Sequence, residues 1–192
     1  MSWYIFLVIS HIIGTVLGAG GATMSDFIFF KSIEDGKINR TEFGFLKMAS
    51  AVVWAGFIIL VFSGFGFLIL YRVVAPELGL LYDPKLWAKL SVVGVILLNG
   101  LVMHWKVFPL LKSRVDKPLT SSEFINRSPI VFTTGAISII SWYTALILGG
   151  WRGLDLPYST IIGAYLLAIS GGIVVANIFG RYLIEKMRSK NR

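Results

Sequence analysis

Trp3-Tyr4-Ile5-Phe6-Leu7-Val8-Ile9-Ser10-His11-Ile12-Ile13-Gly14 opens the chain with an apolar run that holds a histidine in its middle. The run continues to about residue 30, and about 20 such residues cross a bilayer. Four further stretches share this character, which places spans near 3–30, 46–72, 86–111, 130–151 and 158–184. The fold expected is an all-α integral membrane bundle of five transmembrane helices forming one domain over residues 1–192. No Lys or Arg precedes the first run, so it reads as a retained span and not as a cleaved signal peptide.

Composition agrees. The 192 residues are 56% hydrophobic and only 15% charged, with a mean hydropathy of +0.77. A soluble domain of this size carries more polar surface. The net charge of +8 would hint at nucleic acid in a soluble protein. Here the basic residues sit in short loops between apolar runs, so no nucleic-acid partner is expected. The chain has no cysteine, which excludes disulfides, thiolate metal sites, iron–sulfur clusters and c-type haem attachment.

Loop charge sets the expected orientation. Lys31, Lys37, Arg40 and Lys47 follow span 1, Lys106, Lys112, Arg114, Lys117 and Arg127 follow span 3, and Lys186, Arg188, Lys190 and Arg192 end the chain. The other side carries only Arg72, Lys85 and Arg152, among Glu77, Asp83 and Asp155. Positive residues gather on the cytoplasmic side, so the N-terminus is expected outside and the C-terminus inside, in a bacterial inner membrane. Trp3, Tyr4, Tyr71, Tyr82, Trp87, Trp151 and Tyr158 fall at outer span ends and read as an interfacial aromatic belt.

Polar side chains inside the spans carry the functional signal, because an ionisable group in hydrocarbon is costly. A helix rises about 1.5 Å per residue, which puts His11 about 12 Å below the outer surface and Lys89 at about 5–8 Å. Long Lys stems extend several ångströms, so His11 and Lys89 can share a layer. Ser63, Tyr143 and Tyr165 fall near the same level. His104, Trp54 and Asn177 lie near the inner surface, with Asp26 about one turn away. His11, Thr15, Gly18, Ala22 and Asp26 share one side of span 1, and Lys89, Val93, Ile96, Gly100 and His104 make a comparable stripe on span 3.

Simpler roles are open for each. His11 can bond a carbonyl or a serine on another helix, Lys89 can snorkel to the interface, and His104 can be interfacial beside Trp105 and Lys106. Asp26 can pair with Lys31 or Arg40. Gly14-Thr15-Val16-Leu17-Gly18-Ala19-Gly20-Gly21-Ala22 either lets helices approach closely or leaves room for a flat cofactor. Asp35-Gly36-Lys37-Ile38-Asn39-Arg40-Thr41-Glu42 imitates half an EF-hand, but its first two ligand positions would be Lys31 and Ile33, so calcium is not expected. Asn39 with Glu42, and Thr120 with Glu123, read as capping boxes.

The span-1 histidine with its Gly/Ala-rich stretch, and a third span beginning Leu86-Trp87-Ala88-Lys89-Leu90 and ending Val102-Met103-His104, resemble the HemJ-type protoporphyrinogen oxidases. They also resemble the copper-resistance protein D-like membrane domains and their uncharacterised bacterial relatives. The resemblance covers roughly residues 3–111. It implies a b-type haem and a functional pair formed by a span-1 His and a span-3 Lys, here His11 and Lys89.

The expected function is therefore haem b binding in membrane redox chemistry or electron transfer. His11 would be an axial ligand, with His104 as a further metal candidate. Lys89 would meet a haem propionate, ligate, or donate a proton as the catalytic group. Ser63 or Tyr143 would orient the histidine from behind. Asp26, His104 and Asn177 would form an inner cluster. A quinone or redox protein is the partner class implied, and the small-residue faces leave room for a homo-oligomer. The alternative is a small transporter for protons, metal ions or a small solute, with the same residues lining its path.

Overall fold

A computed structural model describes residues 2–34, 36–74 and 80–190. Its elements are α1 (Ser2–Glu34), α2 (Arg40–Val74), a 3₁₀ turn (Leu80–Tyr82), α3 (Pro84–Val102), a π turn (Met103–Val107), α4 (Phe108–Ser113), α5 (Ser122–Gly150) and α6 (Tyr158–Lys190). The helix running from α3 through the π turn to α4 is continuous, so five helices are long and apolar enough to cross a membrane. No strand occurs among the described residues. Large apolar side chains point outward along every span, with Phe62 and Leu167 about three-quarters exposed at 74% and 76%. Water would penalise that surface and lipid does not.

The helix ends follow from local chemistry. The main-chain N–H of Asn39 donates to Glu42 Oε2 and that of Glu42 donates to Asn39 Oδ1, both at 2.9 Å, so the first expected capping box forms. The second does not. Ser121, not Thr120, caps α5 by accepting from Phe124 N, and Glu123 turns aside to pair with Arg114. This cap starts α5 at Ser122, about two turns before the apolar run expected at 130, because the polar stretch 122–129 continues the helix beyond its membrane-facing part. Pro129 lies inside that stretch and lacks the N–H that would reach Ile125. Ser128 Oγ donates to the freed Ile125 carbonyl at 2.9 Å instead. Pro109 likewise gives nothing to Trp105. The helix widens just before it, and Phe108 N–H bonds Met103 O across the π turn.

The two loops at one end of the bundle close on each other. Asp116 N–H donates to Ile38 O at 2.8 Å, and Leu119 N–H donates to Gly36 O at 2.9 Å. Arg40 pairs with Asp116 at 3.2 Å. Ile38 and Leu119 are fully buried beneath this knot. Gly36 takes φ +72° there, so its role is the turn that the sequence suggests. Asp35 lies outside the described residues, as does Glu77. This will be called the loop end, and the opposite one the His11 end.

Helices α1 and α2 form one antiparallel hairpin with by far the most extensive contact in the molecule. Glycines decide its closeness. A Cβ on Gly56 would lie 2.5 Å from Gly18 N and 2.7 Å from Gly14 O, and one on Gly14 would lie 2.7 Å from Leu60 N. Without a hydrophobic drive between helices in lipid, such close backbone packing supplies the attraction. Helix α5 contacts α1, α3 and α6, while α2 makes little contact beyond α1. Two apolar clusters result, one around Phe124, Val107 and Ile33 at the loop end, one around Trp142, Val92 and Ala88 toward the His11 end.

Candidate functional site

His11 sits half-buried on α1 against α2, and its Nδ1 lies 2.9 Å from Ser63 Oγ. Ser63 is itself buried, and its hydroxyl is 2.7 Å from Ile59 O and 3.0 Å from Leu60 O. A hydroxyl has one proton, and here a main-chain carbonyl or the ring can take it. With that proton on a carbonyl, Ser63 Oγ accepts from His11 Nδ1–H and the Nε2 lone pair is free; with it turned to the ring, Nδ1 accepts and Nε2 carries the proton. The ring is held from the side by Phe67, edge-on with centroids 5.6 Å apart. Gly64 lies beside it, and a Cβ there would be in ordinary van der Waals contact with His11 Cε1 at 3.7 Å.

Lys89 is half-buried on α3, and no hydrogen bond joins it to His11. Of the expected layer, the structure brings His11 and Ser63 together. Tyr143 is not with them. Its hydroxyl meets Thr23 Oγ1 at 3.2 Å, twelve residues along α1 from His11 and so about 18 Å away along the axis. Tyr165 bonds Ser141 at 2.7 Å.

The stripe expected on the third span is rotated. Its buried face is Ala88, Val92, Ile96 and Asn99, which shares Ile96 with the expected stripe and lies one residue off it at Lys89, Val93 and Gly100. His104 is exposed on the π turn. Asn177 is engaged with Thr133 Oγ1 at 3.0 Å and Ile173 O at 2.9 Å. No hydrogen bond joins Asp26, His104 and Asn177 among the described residues, and His104 faces outward. Arg40 pairs with Asp116, and Asp26 forms no ion pair among the described residues. No three His, Asp or Glu side chains gather as a metal site among those residues.

The glycine stretch of span 1 leaves no flat slot. Gly14 faces the α2 backbone, and a Cβ on Gly18 would overlap the Trp142 ring. Free space lies elsewhere, in a cavity of about 340 Å³ toward the loop end, bordered by Asp26 and Asn99. Asn99 is the polar residue that sequence reasoning missed. Its signal was the Ala88-Val92-Ile96-Asn99 spacing, which places it on the buried face of α3.

The chain matches no family model, no curated protein and no solved structure.

Proposed function

We propose that the chain is a multi-pass protein of a bacterial cytoplasmic membrane that binds b-type haem through His11 for redox chemistry or electron transfer. The observation that carries this reading is the Ser63–His11 pair: in the tautomer in which Ser63 accepts from Nδ1–H, the ring is oriented and the Nε2 lone pair is available, the arrangement a ligating histidine needs. The donor chemistry fits a haem iron with one protein ligand, and no second histidine is close. When bound, the haem supplies one-electron chemistry at its iron. Ser63 and Phe67 hold the imidazole still, and Lys89 on α3 would supply a cation for a carboxylate edge or a proton donor.

Ser63→Ala keeps the ligand and removes its orientation. Haem affinity of the detergent-purified variant should fall about 10- to 100-fold, read by haem titration against the parent. His11→Ala should show no saturable binding. Unchanged affinity in both variants would remove His11 from the account.

A transporter for protons, metal ions or a small solute is the second reading. It is favoured by two polar pairs, His11 with Ser63 and Asp26 with Asn99 on the cavity wall, with the apolar cluster of Trp142, Phe57 and Leu60 between the helices. Proton flux in liposomes that is lost in Asp26→Asn and His11→Ala, together with a colourless protein, would establish it.

The loop charges favour the loop end as cytoplasmic. A chain without cysteine makes the test direct. Tyr82→Cys, at a residue 90% exposed, should react with an impermeant maleimide in intact cells, and Lys37→Cys only after permeabilisation. The reverse pattern would invert the topology.

A further inference from the structure

The cavity toward the loop end is chemically unlike the His11 site and stands independently of it. Side chains from α1, α2, α3, α5 and α6 enclose it, and its wall contains no Lys, Arg or His. Its strongest polar group is the Asp26 carboxylate, which receives no hydrogen bond and no ion pair among the described residues. Asn99 donates through Nδ2 to Thr134 O at 3.0 Å, so its Oδ1 is left as an acceptor. The rings of Phe29, Trp54, Phe57 and Phe132 border the same space.

A lone carboxylate at membrane depth is costly unless it takes up a proton or a positive charge joins it, and a cation in the cavity would hold it ionised. Aromatic faces attract the same charge. A metal cation is poorly served, since Asp26 is the one charged ligand on the wall, beside the neutral oxygens of Asn99, Ser25, Ser50 and Ser138, and no three His, Asp or Glu side chains gather among the described residues. An organic cation is well served, because its apolar body satisfies the rings while its charge meets Asp26. Phe30 on α1 and Phe179 on α6 border the cavity, are exposed on the outer face of the bundle, and meet edge to face at 5.9 Å. Gly135 keeps the space beside the carboxylate open, since a Cβ there would come to 3.7 Å from Asp26 Oδ1.

We infer that this cavity is a binding site for lipophilic organic cations, with Asp26 as counter-ion and the surrounding rings as its cage.

The test is tetraphenylphosphonium titrated calorimetrically into the detergent-purified full chain, with neutral triphenylphosphine oxide as comparison. One saturable site is expected, preferring the cation by about tenfold or more. Asp26→Asn should abolish that preference and Asp26→Glu should retain it. Gly135→Leu, which fills the space and leaves the carboxylate, should weaken both ligands. Should Asp26→Asn fail to fold, the cation-to-neutral ratio in the parent chain and the Gly135→Leu result decide by themselves. Equal affinity for the two probes, or cation binding unchanged in Asp26→Asn, would overturn the assignment.

Discussion

Gly56→Leu is expected to prevent assembly of the bundle, and Gly56→Ala to weaken it measurably. The reason is what the new carbon meets. At Gly56 it meets the main chain of α1, at 2.5 Å from Gly18 N and 2.7 Å from Gly14 O, and main chain cannot rotate aside as a side chain can. The two helices must separate, and the hairpin then loses contact along its length. A single methyl that forces a backbone shift costs about 1–3 kcal/mol, and the larger side chain multiplies the displacement. Gly20 supplies the control, because nothing lies within 4 Å of a Cβ there. Gly20→Leu should elute with the parent protein in size-exclusion chromatography, while Gly56→Leu should be found as aggregate. Similar behaviour of the two would mean that the α1–α2 contact is not glycine-mediated.

Trp142→Ala should have the second large effect. Trp142 is 1% exposed, fills the hollow left by Gly18 and forms part of the cavity wall. Removing so large a buried side chain typically costs about 3–5 kcal/mol. The loss should appear as a lower thermal midpoint by circular dichroism in detergent. Gly18→Ala alone should also destabilise, by crowding the indole. Combined with Trp142→Leu, its cost should be much smaller than the sum of the two single changes, since the smaller side chain makes room for the methyl. Additive costs would mean that residues 18 and 142 do not share one space.

Much of this was legible in the chain. Five spans, the first capping box and the partnership of His11 with Ser63 follow from apolar run length, residue spacing and depth. Azimuth was not legible. A helix in lipid is apolar on its core face and on its lipid face alike, so periodicity marks the inside only weakly. On span 3 the titratable residues Lys89 and His104 drew the expected stripe one residue away from Ala88, Val92 and Asn99, with Ile96 common to both. The π turn before Pro109 then shifts the phase again and leaves His104 outside. Depth is a single coordinate, which is why Tyr143 was placed beside His11 when its ring points toward Thr23. The glycines of span 1 admitted either a cofactor or a neighbouring helix. The choice between them was set by Trp142 and Gly56, residues distant in sequence.

The most direct test of haem binding through His11 is the absorption spectrum of the purified protein, oxidised and then dithionite-reduced, after expression with ample haem. The account predicts a Soret band with sharpened α and β bands on reduction, and loss of all three in His11→Ala. A featureless spectrum from folded protein, or a Soret band that persists in His11→Ala, would contradict it.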